Sequence, residues 1–401
     1  MSEQEAVAAD QNLAAENKTL FTTFNVIAGV IVLIGIVLTI LRFTKGLGSV
    51  TNLSHTQPWG LWIGFDLMCG VALAAGGYTT SAACYIFGMK KYHAAVRPAI
   101  LTGFLGYATV LVSLLYDVGR PDRLLMAYPF VVQQGTTSLL FEVGLCVLLY
   151  LIVLFLEFTP IPLEWLGLRK VRNIAVKVTM VLTIFGVVLS TLHQSSLGAL
   201  FLIAPSKLHP LWYSPYIAVF FFVSSIVAGL CMVIFEGSLS HKVFKSKMDK
   251  TYLEAYEPLV LGYAKAAALV LFGYFVTKLI GVAAGNHWHL LGSPYGIWFL
   301  VEVLGFIALP CFLFTIASRD QDFGLIKFAA AWSVIGIVLN RLNVCIIAFN
   351  WQKPLAERYI PSWMEVMLSV FMVTCLILVF RFVVTRMPVF YEHPDFKEAH
   401  H

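Results

Sequence analysis

Charge is what this chain has least of. Only 12% of its 401 residues are Asp, Glu, Lys or Arg, about half the share of an ordinary soluble domain. That is too little to cover an aqueous surface, so a string of soluble domains is excluded. No cleavable leader is visible either. Residues 1–20 are polar and acidic, with Lys18 their one basic residue, so the first apolar run is expected to be retained.

Cysteine is sparse and unpatterned. Cys69, Cys84, Cys146, Cys231, Cys311, Cys345 and Cys375 fall inside or at the ends of apolar runs, and none forms a Cys-x-x-Cys pair. They are expected to pack between helices rather than to form disulfides or hold an iron–sulfur cluster. The ten histidines fall in loops, tails or at expected span ends, which argues against a haem held by two facing histidines. His287-x-His289 lacks further ligands, so no metal site is expected. No phosphate loop, Ser-His-Asp arrangement or nucleotide fingerprint stands out. The net charge of +5 sits in short loops, and nucleic acid is not an expected partner.

What the chain has is hydrocarbon. Hydrophobic residues make up 59% of it, and the mean hydropathy is +0.82. Apolar runs about as long as a bilayer core is thick recur at 21–41, 59–84, 97–116, 137–158, 172–192, 214–236, 257–284, 295–317, 324–349 and 364–385. Their length and lack of alternation predict helices, not barrel strands. The expected fold is therefore all-α: a polytopic transmembrane protein with about ten spans. Trp59, Trp62, Trp212, Trp288, Trp298, Trp351 and Trp363 lie near span ends, as an interfacial belt should.

Lys and Arg separate by side. Lys90, Lys91, Arg97, Arg169, Lys170, Arg172 and the lysines at 242–250 outweigh Arg42, Lys45, Arg120, Arg123, Lys207, Lys353 and Arg358 on the other side. The positive-inside rule then puts both termini in the cytoplasm.

A faint repeat accompanies this topology. Gly106-Tyr107-Ala108 returns as Gly262-Tyr263-Ala264, and Phe141-Glu142-Val143-Gly144 resembles Val301-Glu302-Val303-Leu304. Such short matches also arise by chance in an apolar chain. Taken as a repeat, they predict two parallel four-helix bundles. The organisation is then a tail (1–20), a first helix with its outer loop (21–58), bundles at 59–213 and 214–363, and a tenth helix with a cytoplasmic tail (364–401).

Ionisable groups inside a bilayer are costly and signal function. Asp66, Asp117, Glu142, His193 with Gln194, Lys278, Glu302, and Asn340, Arg341 and Asn343 all fall in the outer half of the expected spans, beside Arg120 and Arg123. Two readings stand: structural ion pairs such as Asp117 with Arg120 or Arg123, or a polar pocket. Inner-half Glu157, Glu236, Lys265 and Lys327 are expected to snorkel or pair locally.

At these residues a resemblance appears. Pro58-Trp59-Gly60-Leu61-Trp62-Ile63-Gly64-Phe65-Asp66, Asp117-Val118-Gly119-Arg120-Pro121-Asp122-Arg123, His193-Gln194-Ser195-Ser196-Leu197-Gly198 and Asn340-Arg341-Leu342-Asn343 resemble the NrfD/PsrC-type quinone-interacting membrane subunits. The His-Gln-Ser-Ser-Leu-Gly segment leans toward the HybB-type branch that serves periplasmic nickel–iron hydrogenases.

The resemblance implies an inner-membrane subunit with no haem or iron–sulfur cluster of its own. It implies electron exchange between menaquinone or another quinone and a periplasmic ferredoxin-like iron–sulfur subunit. That subunit connects to hydrogenase small and large subunits, which hold the nickel–iron centre. No independent hydrogenase activity is expected. On this reading His193 is the preferred headgroup partner or proton donor, Glu142 and Asp66 are proton relays, Asp117 pairs with Arg120 or Arg123, and Arg341 meets Glu302. Proton translocation is a further expectation. Without the resemblance, a secondary transporter, an ion channel or a passive anchor of a redox complex fits the composition equally well.

Overall fold

The computed structural model describes residues 22–122, 139–391 and 396. The tail 1–20, Arg123, most of the 117–136 loop and most of the last residues lie outside these. Ten described helices are long and apolar enough to cross a membrane: α1 (Thr23–Lys45), α2 (Trp62–Ile86), α3 (Lys90–Asp117), α4 (Glu142–Trp165), α5 (Arg169–Ile203), α6 (Ile217–Val243), α7 (Lys250–Ala284), α8 (Pro294–Asp320), α9 (Phe323–Ile347) and α10 (Trp363–Arg386). Among the described residues, extended pairing is limited to the isolated bridges Ser54–Gln57 and Leu208–Phe349. The chain is an all-α polytopic membrane protein.

Several helix starts are written in the sequence. Asp249, Ser293 and Asp322 accept the backbone N–H of Tyr252, Gly296 and Leu325 at 2.8, 3.0 and 3.0 Å, satisfying donors that a helix start leaves free. Ser362 and Glu365 form a reciprocal capping box at α10. Glu365 Oε1 also accepts the Asn52 N–H at 2.7 Å, which ties the loop after α1 to α10.

Helix α2 runs through the middle and owes that place to small residues. It breaks at Ala74–Ala75 and touches α3, α5, α6 and α9. A Cβ on Gly229 of α6 would fall 2.7 Å from the Ala75 carbonyl carbon. Backbone meets backbone there, as small residues allow between membrane helices. Helix α4 contacts α3 and α5, while α6, α7, α8 and α9 contact in order and α6 closes on α9. Helices α1 and α10 pair with each other at the side, and α10 reaches α2 and α3.

All seven cysteines are free, five of them buried. Two tryptophans depart from the interfacial belt. Trp62 and Trp212 are buried, and their indole N–H groups bond the Glu365 carbonyl at 3.1 Å and Glu302 Oε2 at 2.7 Å. Trp288 and Trp363 do face outward.

Candidate functional site

The outer polar residues do not share one pocket; they fall into three groups. The first lies between α2, α3 and the α1–α10 pair. Asp66 is buried and accepts a 2.8 Å hydrogen bond from Ser369 of α10. It lines a narrow cleft with Trp62, Ser113, Tyr116, Leu368 and Met372. Asp117 ends α3, and its Oδ1 is buried without a hydrogen bond to protein.

Of the two expected partners of Asp117, the structure describes Arg120 alone, and it is engaged elsewhere. Arg120 pairs with Asp122 at 2.8 Å on the exposed surface, and Arg123 lies outside the described residues. The cation within electrostatic reach of Asp117 is Arg42 of α1. Arg42 is buried and donates to the carbonyls of Tyr116 and Val118, each at 2.7 Å. A residue that counts as a loop cation in the sequence thus lies inside, clamping the end of α3.

The second group is a column among α2–α6. His193 was placed at the end of span five by hydropathy, but α5 continues to Ile203 and His193 is completely buried. Its Nε2 lies 2.5 Å from the Tyr107 hydroxyl of α3 and its Nδ1 2.7 Å from the Leu189 carbonyl. A carbonyl only accepts, so Nδ1 carries the hydrogen and Nε2 accepts from tyrosine. Tyr150 of α4 packs edge-to-face on Tyr107 at 4.7 Å.

Gln194 donates to the Val71 carbonyl at 2.9 Å. Gln194 Oε1, Ser190 Oγ and the Tyr150 hydroxyl are buried without a protein partner. Such groups in a native interior call for ordered water. At the outer edge, Glu142 accepts from Ser196 at 2.7 Å. Toward the other end, Glu157 accepts from Thr183 at 2.7 Å and Glu236 from Thr102 at 2.5 Å. Glu157 interacts electrostatically with Tyr150, and Glu236 lines a gap of about 20 Å³ with Tyr252, Tyr256 and Phe390. Both carboxylates are bonded between helices and do not snorkel, and Glu157 adjoins the column at Tyr150.

The third group joins α6–α9. Glu302 receives Trp212 at 2.7 Å, Asn340 at 2.7 Å, Asn343 at 2.5 Å and Lys278 at 3.4 Å. The expected Arg341–Glu302 contact is indirect. Arg341 donates to Asn340 Oδ1 at 2.7 Å and to Ser224 at 2.8 Å, and stacks on Phe221. Glu302 is saturated, whereas Glu142 accepts one bond, from Ser196. This group holds helices together.

Among the described residues no three His, Cys, Asp or Glu gather as a metal site. Both nitrogens of His193 are committed to protein, so it does not present one of a facing pair of haem ligands.

A Nitratidesulfovibrio vulgaris protein is 64% identical over 387 residues, covering 96% of this chain and 99% of its own. The protein named "Probable Ni/Fe-hydrogenase 2 b-type cytochrome subunit" of Escherichia coli K12 is 32% identical, covering 94% and 93%. The "Menaquinone reductase, integral membrane subunit" of N. vulgaris is 27% identical, covering 86% of each chain. The family described as "Polysulphide reductase, NrfD" matches residues 49–351, which takes in the second and third polar groups and Asp66 and Asp117 of the first, and the chain belongs to the NrfD family.

Proposed function

We propose that this chain is the quinone-interacting membrane subunit of a redox complex that carries a nickel–iron hydrogenase module on its outer face. A ferredoxin-like iron–sulfur subunit passes electrons between that module and menaquinone or a related quinone. We assign the chain no redox centre of its own, both termini to the cytoplasm, and two parallel four-helix bundles, α2–α5 and α6–α9. The names of the E. coli and N. vulgaris relatives support the partners and the substrate.

The observation that carries the reading is the buried His193–Tyr107 pair, flanked by unpartnered polar atoms and by carboxylates at either end. Reducing a quinone takes two electrons and two protons. The electrons come from outside; the chain's task is to hold the headgroup and deliver protons. The Asp66 cleft is narrow, and a quinone headgroup enters it only as the α1–α10 pair moves away from α3. The isoprenoid tail is left among the helices. Asp66 in its protonated form donates to a headgroup carbonyl oxygen, while Asp117, beside the cleft, stays charged against Arg42.

His193, enclosed on both nitrogens, acts as a relay and not as a headgroup ligand. Nε2 stores a proton that Tyr107 hands to it while the Tyr107 oxygen takes another from the Tyr150 side, through water and Glu157. On the reverse transfer Nε2 returns its proton to the Tyr107 oxygen, which releases one through water beside Gln194 toward the quinone. With electrons from the outside and protons from the cytoplasm, turnover moves charge across the membrane.

The test is hydrogen-dependent reduction of a menaquinone analogue by the purified complex, beside the hydrogenase module stripped of this chain. The expected result is that stripping abolishes quinone reduction and spares dye reduction. Quinone reduction at full rate by the stripped module rejects the reading.

A further inference from the structure

We propose that the lipid-facing side of α5 is a binding site for one anionic phospholipid in the leaflet at the Arg169 end. Lys170 and Lys177 are both exposed, and seven residues bring them to the same face, about 10 Å apart along the axis. The stripe continues in that register as Ile174, Val181, Ile184 and Val188, all exposed and apolar. It therefore offers two cations at one end and a run of hydrocarbon beyond, the order of charge and tail in a phospholipid.

Neither lysine has a carboxylate partner among the described residues. The neighbouring Arg169 and Arg172 lie over the Phe396 ring; Arg172 is buried and also meets Glu164, so it is turned inward. Lys177 is two turns deeper than Lys170 on a surface that faces lipid. An unneutralised ammonium there is costly; its flexible stem carries it back toward the headgroup plane, where Lys170 already points.

Charge complementarity selects the occupant. A zwitterionic headgroup brings its own cation to a site that already has two, whereas phosphatidylglycerol brings one uncompensated phosphate. Lys265 of α7 provides the contrast. It is also exposed, but it is a single cation, with no second Lys or Arg within two turns on either side. Trp165, exposed just before α5, suits the interfacial level at which the headgroup sits.

The test is native mass spectrometry of the full chain in mild detergent, titrated with phosphatidylglycerol or phosphatidylcholine of identical acyl chains. Wild type is expected to retain phosphatidylglycerol preferentially. The K170Q/K177Q double variant should weaken that retention roughly thirty-fold, from the usual contribution of two lysines at an anionic surface. K265Q should leave it unchanged. Equal retention of the two lipids by wild type overturns the proposal, as does an intact preference in the double variant. Both lysines are on the surface, so the variants fold and the comparison stays interpretable.

Discussion

The Arg42 guanidinium donates from Nε to the Tyr116 carbonyl at 2.7 Å, and so fastens the outermost helix to the last turn of α3. A second bond reaches the Val118 carbonyl, and the charge lies beside Asp117. Helix α1 is therefore part of the site region and not only a peripheral span.

Arg42→Gln is expected to lower the unfolding midpoint in detergent, at a cost of about 1.5–3 kcal/mol for lost bonds from a charged donor. Arg42→Lys should recover only part, since an ammonium cannot reproduce the planar fork that reaches two carbonyls. An unchanged midpoint in Arg42→Gln would remove the clamp from the account.

The Lys278–Glu302 pair is buried among α6–α9, with rings of Phe220, Tyr274 and Phe299 around the ammonium. Lys278→Met alone should cost about 3–5 kcal/mol, because it leaves a buried carboxylate without its cation. Adding Glu302→Gln should restore only part of that loss: it removes the unpaired charge, but the new amide N–H2 meets one or two of the donors that Glu302 accepts. Thermal unfolding of both single variants and the double reads the coupling; additive losses would mean the two charges stand independent.

Gly229→Ala should destabilise by about 1–3 kcal/mol, since the new methyl would press on the Ala75 backbone, which cannot swing aside. Gly273→Ala, where a Cβ meets open space, should be neutral or gain about 0.5–1 kcal/mol from helix propensity. Equal effects at the two positions would contradict the close approach of α2 and α6.

His209 lies in the loop between α5 and α6, buried, stacked on Tyr295 at 4.6 Å and accepting the Leu211 N–H at Nδ1. Burial, and then neighbouring His287, push its imidazole down to about 4, against about 6.5 in an unfolded chain. Between these values the unfolded chain binds the extra proton. The stabilisation is thus complete above pH 6.5 and is lost as pH falls toward 4. His209→Phe should flatten the acid limb of midpoint against pH; an unaltered slope would show that other groups set it.

Hydropathy made the ten spans legible, and the cost of charge in lipid singled out Asp66, Glu142, His193, Lys278, Glu302 and Arg341. Both signals report depth along a helix. Neither reports the direction a side chain faces, which is why one outer pocket was expected where three separate groups stand. Pairing by proximity in the chain gave Asp117 to Arg120, while its cation comes from α1, 75 residues earlier. Tyr107 was visible only as part of a repeat, because an aromatic residue in an apolar run carries no sign of the histidine it bonds. Glu157 and Glu236 were read as margin residues for the same reason: Thr183 and Thr102 are ordinary helix residues until the packing is known.

The most direct test of the account is hydrogen-driven reduction of a menaquinone analogue by the intact complex, wild type against His193→Ala, with subunit content and dye reduction measured alongside. Losing a positioned proton relay should slow the quinone reaction about 100-fold or more, with assembly and hydrogen-dependent dye reduction intact. A His193→Ala complex that reduces quinone at the wild-type rate would contradict the account.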